Sequence, residues 1–148
     1  MDEKVKSALR DFFTAQRKLH EFGVIGSKHY IDDIGVYLCS RIYGLEPVIK
    51  KGKDLGYEGL IDTSRIAVRL TNCPTGTPVR IAAPVSFDEL IVVLGPNSWM
   101  RPEGINAEFI TYRLSKEEVL DRFRESNGIY SGDAGILPVQ PDKLLSLE

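Results

Sequence analysis

Two cysteines and two histidines in 148 residues leave little material for a disulfide framework or a zinc site. Cys39 falls in a predicted helix and Cys73 in a Pro/Gly loop, with no further thiol or imidazole at ligand spacing. An excess of charge of one sign is also missing, since 19 Lys and Arg stand against 21 Asp and Glu for a formal net charge of −2. Nucleic-acid contact therefore has to come from a local basic patch rather than a global field. No apolar run approaches the roughly 18 residues of a membrane span, and the opening MDEKVKSALRDFF is charged throughout rather than basic then apolar. Glycine-rich phosphate loops and nucleophile elbows are absent, which removes the motif basis for nucleotide hydrolysis or Ser-His-Asp chemistry. The expectation is a reducing, cytoplasmic setting with no membrane partner.

The chain does have the makings of one core. Hydrophobic residues are 43% and charged residues 27% of a length typical of a single domain, so residues 1–148 are expected to form one unit. From Glu3 to Phe22, Val5, Ala8 or Leu9, Phe12, Phe13, Leu19 and Phe22 recur at three- and four-residue intervals while Lys4, Lys6, Arg10, Arg17 and Lys18 fill the other faces. That spacing predicts an amphipathic helix stopped at Gly23. A second helix is predicted over about Ile31–Tyr43, with Ser27, Asp32 or Asp33 to cap its start and Gly44 to end it.

After Gly44 the spacing changes to short β-like runs at Glu46–Ile49, Gly56–Ile61, Arg65–Leu70, Leu90–Leu94 and Glu108–Arg113. The Asp62-Thr63-Ser64 link is tight enough for a hairpin. TNCPTGTPVRIAAPVS, with three prolines and a glycine, predicts an excursion at the sheet edge or over a site. Ser115 and Glu118 form a capping box for a third helix, expected to run to Gly128 and to be followed by a mostly irregular tail over 128–148 with a short turn at Asp142–Leu147.

The hairpin carries the functional argument. Period-two geometry places Ile66, Val68 and Leu70 on one face and Arg65, Ala67 and Arg69 on the other, opposite the strand that bears Glu58. An acidic residue facing an alternating polar pair is the arrangement with which a metal-dependent nuclease holds a divalent ion, because hard cations prefer carboxylate oxygens. The run GVIGSKHYIDDIGVYLCSRIYGLE, then KKGKDLGYEGLID, RIAVRL, FDELIVVL and YRLSKEEV, resembles in order and spacing a small bacterial branch of the PD-(D/E)XK restriction-endonuclease-like superfamily, over roughly Phe22–Phe123. The resemblance implies an α/β fold with a central mixed sheet flanked by helices.

It also implies the site. The branch's helix glutamate falls on Val36, its strand aspartate on Glu58, its Gln or Glu on Ala67 and its lysine on Arg69. Val36 and Ala67 supply no side-chain oxygen, and Arg69 cannot be deprotonated at working pH. The resemblance thus leads to a nuclease-like scaffold without a catalytic centre, needing no cofactor and acting by binding nucleic acid or protein, in bacterial defence or DNA handling. A divergent Mg²⁺ nuclease would have to combine Glu58 with Asp54, Asp62 or Glu89, although turn and cap chemistry already accounts for Asp62 and Glu89. A protein-interaction module without a nucleic-acid role is the third expectation.

For nucleic acid, the candidate contacts are Lys50, Lys51, Lys53, Arg65 and Arg69. His20 and His29 lack metal-ligand partners in sequence, and Tyr30, Tyr37 and Tyr43 suit helix packing. The only tryptophan, Trp99, lies between Met100 and a turn, near Arg101; this loop is the candidate surface for a protein partner or a homodimer, or else folds back over the sheet.

Overall fold

Helices α1 (Glu3–Glu21) and α2 (Tyr30–Tyr43) are both present in the computed structural model, which describes residues 1–49 and 54–148. Asp2 caps α1 by accepting the Lys4 N–H at 2.7 Å. Gly44 ends α2 in the left-handed conformation, with its N–H turned back to the carbonyl of Ser40 at 3.2 Å. His29 rather than Ser27, Asp32 or Asp33 occupies the N-cap of α2 and makes no side-chain capping bond. Asp33 instead folds the preceding loop, accepting from the N–H groups of Gly26 and Ser27 and from the Ser27 hydroxyl.

Nine strands follow among the described residues. β1 (Glu46–Pro47), β2 (Gly59–Ile61), β3 (Ser64–Thr71), β5 (Glu89–Leu94), β6 (Phe109–Ser115) and β9 (Lys143–Leu145) pair in the order β1-β2-β3-β5-β6-β9. β3 and β5 run parallel and the other described pairs antiparallel, so the sheet is mixed. β4 (Val79–Ala82), β7 (Arg124–Ser126) and β8 (Ile129–Gly132) form a second, antiparallel sheet in the order β4-β8-β7. The fold is therefore α/β around a mixed sheet.

Alternation along the central strands divides the core in two. Ile66 and Val68 of β3 join Ile91 and Val93 of β5 beneath Leu38 and Cys39 of α2. Gly35 permits this approach, since a β-carbon there would stand 3.2 Å from that of Leu70. On the other face, Ala67, Leu90, Val92, Ile110, Tyr112 and Leu114 meet β4 and the short helix α3 (Lys116–Arg122) through Val79, Ile81 and Val119. Helix α1 buries none of its residues.

The expected hairpin is β2–β3, turning through Asp62, whose φ is +53°, and Thr63. Both bonds of the Ser115–Glu118 capping box are made. Three expectations require correction. Helix α3 ends at Arg122, not Gly128, because Phe123 turns extended and enters the core. Asn127 and Gly128, both at positive φ, close a β7–β8 hairpin. The tail over 128–148 holds more regular structure than expected: β8 pairs with β4, a 3₁₀ turn spans Ala134–Ile136, and β9 extends the main sheet. The proline-rich excursion supplies β4, a member of the second sheet. Among the described residues, no helix is long and apolar enough to cross a membrane.

Candidate functional site

Strand β2 pairs with β3 only through Ile66, and beyond that point side chains complete the edge of β3. Oε2 of Glu58 accepts the Val68 N–H at 2.7 Å, and the Arg69 guanidinium donates to the Val68 carbonyl at 2.8 Å. Arg69 also reaches Oε1 of Glu58 at 3.3 Å and, through Nε, the Arg80 carbonyl of β4 at 3.2 Å. One ion pair thus satisfies both backbone groups of Val68 and ties the main sheet to the second. The side chains are 14% (Glu58) and 29% (Arg69) exposed, so the bonds are partly shielded from water and stronger than a surface pair.

The pair forms part of the wall of a cleft of about 780 Å³ between α2 and the sheet edge. Val36, Glu58 and Arg69, three of the four positions singled out by the resemblance, line it together. Ala67 does not: it is fully buried on the opposite face among Leu90, Val92 and Tyr112. The half-polar face expected on β3 is consequently a dry core at Ala67, and Arg69 escapes that core only by turning its guanidinium to the strand edge.

Other lining groups also carry charge: Asp54 was a candidate carboxylate from the sequence, whereas Asp32 and Asp33 were expected only as caps. Asp32 and Asp33 come from the first turn of α2, and Asp54 from the segment before β2. Asp54 accepts the Gly56 N–H at 2.9 Å. Burial alone would push the Asp33 carboxyl up, but bonds from Gly26 and Ser27 outweigh it and hold the group below its ordinary value. The signal for Asp33 was its position in a first helical turn, which identifies a cap but not the cavity it borders.

A Mg²⁺ ion does not fit this donor set. Val36 and Ala67 offer carbon, the two oxygens of Glu58 are engaged by Val68 and Arg69, and a guanidinium stands where a cation would need open oxygen. Of the three alternative carboxylates, Asp54 lines the cleft with Glu58 and accepts the Gly56 N–H, and the other two stand apart from it. Asp62 is exposed in the hairpin turn outside the cleft lining, and Glu89 is paired with Arg113. Among the described residues, no group of three or more His, Cys, Asp or Glu side chains is placed to hold a metal.

Of the proposed phosphate contacts, Lys50, Lys51 and Lys53 lie outside the described residues. Arg65 is committed to Asp88, which it meets through Nε at 3.2 Å and through a terminal nitrogen at 3.0 Å. These bonds and the Arg65 backbone N–H bring the Asp88 carboxyl down to about 2. Arg69 is held as described above.

The Trp99 loop folds inward. The indole N–H donates to the Thr77 carbonyl at 3.1 Å, Trp99 packs on the larger core and Met100 is buried. Arg101 fastens the loop by donating to the carbonyls of Gly95, Ile105, Ala107 and Glu108. His29 borders the cleft, while His20 is exposed at the end of α1. Tyr30 meets Phe12 edge-on, Tyr37 lines the cleft, and the Tyr43 hydroxyl bonds Thr111 and Asp142. Burial pushes the Cys39 thiol up to about 12, whereas the Thr75 hydroxyl beside Cys73 lowers that thiol.

No protein-family model matches the chain, and no curated protein matches it. The class defined by fold and site is an α/β domain with a mixed sheet and an ion-paired cleft.

Proposed function

We propose that this is a nuclease-like domain of PD-(D/E)XK type that does not cut, and that acts by binding in or around the cleft beside α2. The observation that carries the reading is the Glu58–Arg69 pair: the acidic position of the resemblance spends its oxygens on Val68 and Arg69. An arginine there supplies fixed positive charge but cannot activate water as a deprotonated base. Nucleic acid is the first partner class, approached through Lys50, Lys51 and Lys53, which fall in sequence between the cleft residues Val48 and Asp54. The test is incubation of supercoiled and single-stranded DNA and of RNA with Mg²⁺ or Mn²⁺. No cleavage is expected, and cleavage abolished by Glu58→Ala would overturn the proposal.

A protein partner is the second reading, favoured by the charge of the cleft itself. Its described lining carries Asp32, Asp33, Asp54 and Glu58 against Arg69, a balance that suits a basic segment better than a phosphate backbone. DNA retention that falls steeply with salt and disappears when the three lysines are neutralised selects nucleic acid. Salt-insensitive absence of retention selects the protein partner.

A further inference from the structure

Helix α1 is a 19-residue amphipathic helix with no buried residue. It touches the body through the Phe12–Tyr30 ring contact and the Leu19 carbonyl, which accepts the N–H of Val24 at 2.9 Å. Val5, Leu9, Phe12 and Phe13 are between 44% and 60% exposed, and Phe22 is 76% exposed. A helix of about 28 Å gains most of its stability in water from packing its apolar face, so this face calls for a partner.

The spacing of the face says which kind. Val5, Ala8, Phe12, Ala15, Leu19 and Phe22 repeat at intervals of three and four, the seam of a two-helix coiled coil. Laid antiparallel on its own copy, the seam sets Phe12 against Ala15, Leu19 against Ala8 and Val5 against Phe22, so large side chains fill the gaps left by small ones. That register also brings Asp11 beside Lys18 of the second copy, and two-fold symmetry repeats the pair. Asp11 and Lys18 are both exposed, and neither takes part in an ion pair formed within the described residues. A parallel pairing would stack Phe12 on Phe12 and Ala15 on Ala15, and would place no opposite charges beside the seam.

We infer that α1 is a homodimerisation helix, pairing antiparallel with α1 of a second copy through this seam and the two Asp11–Lys18 contacts. The inference does not depend on what the cleft binds. Two short helices bury an area at the small end of stable interfaces, so the association is reversible and concentration-dependent. It runs through α1 and leaves the inward-folded Trp99 loop unused.

Sedimentation equilibrium of the full chain tests it. The apparent mass is expected to rise from one to two chains with concentration, and Phe12→Glu is expected to return it to one. Asp11→Lys and Lys18→Asp each set like charges face to face and should weaken association about three- to tenfold, while the double exchange restores it. Since both positions are exposed, circular dichroism of each variant should match the parent. A parent chain that stays monomeric, or a dimer indifferent to Phe12→Glu and to the single charge exchanges, overturns the inference. So does a monomer that instead co-sediments with phosphatidylglycerol vesicles, which would assign the apolar face to a lipid surface.

Discussion

The carboxylate of Glu58 and the guanidinium of Arg69 stand 3.3 Å apart, and each bonds the backbone of Val68 that lies between them at the edge of β3. Their positions are 11 apart in sequence, and the charge of each is spent on the other and on the strand. Arg69→Met removes the donor to three acceptors and is expected to cost about 1–3 kcal/mol. Glu58→Gln keeps an acceptor for Val68 and should cost less. A double-mutant cycle by urea denaturation is expected to give a coupling of about 0.5–3 kcal/mol between the two positions. Zero coupling would reduce the pair to an incidental contact.

The Arg65–Asp88 pair predicts a pH dependence with a definite sign. The Asp88 carboxyl is lowered from an ordinary 3.8 to about 2 by Arg65, so the folded state holds the charged form more strongly than the unfolded chain does. Its contribution is fully present above the unfolded value and is lost as pH falls through about 2. Carboxyl-detected NMR titration should place the Asp88 midpoint near 2 in the parent and return it toward 3.8 in Arg65→Gln. An unmoved midpoint in the variant would refute the assignment of cause.

The two thiols should separate cleanly. Cys39 is fully buried and its thiol is pushed up to about 12, while Cys73 is partly exposed and lowered by Thr75. The thiolate is the reacting species. Ellman's reagent at pH 8 is therefore expected to label one thiol in the native protein and two in denaturant, and peptide mapping should find the native label on Cys73. Native labelling of Cys39 would mean that α2 opens from the sheet.

Tyr43 anchors the end of the chain. Its hydroxyl donates to Asp142 at 2.7 Å and bonds Thr111, while Arg113 and Lys143 flank its ring at 5.4 Å and 4.9 Å. Burial raises the phenol above its ordinary value, so this contribution is complete below pH about 10 and is lost as pH rises beyond it. Tyr43→Phe should cost about 0.5–1.5 kcal/mol. Hydrogen exchange should quicken first at Lys143–Leu145, because β9 pairs with β6 over only three residues. Faster exchange spread evenly over the sheet would contradict a local anchor.

What the sequence determined by itself was local. The helical spacing of Val5 to Phe22, the left-handed stop at Gly44 and the Ser115 capping box each depend on residues within one or two turns, and each is present. The β2–β3 hairpin was legible for the same reason. Asn127-Gly128 carried an equally local hairpin signal, yet the helical pattern before it concealed β7. β9 had almost no signal, since three residues become a strand only when β6 offers them an edge.

Tertiary structure decided the site. Period-two geometry put Ala67 and Arg69 on one face, but only packing against β5 and β6 makes Ala67 core while Arg69 turns to the edge. Glu58 was singled out for its charge, and its role came from a strand that stops one residue away and leaves Val68 to be satisfied. Arg65 was a candidate phosphate contact and the Trp99 loop either a partner surface or a segment folded back over the sheet, and their partners Asp88 and Thr77 lie 23 and 22 residues away. Residue identity sets what a side chain can bond, but the partner that claims it is chosen by long-range pairing of strands, which no local window of sequence contains.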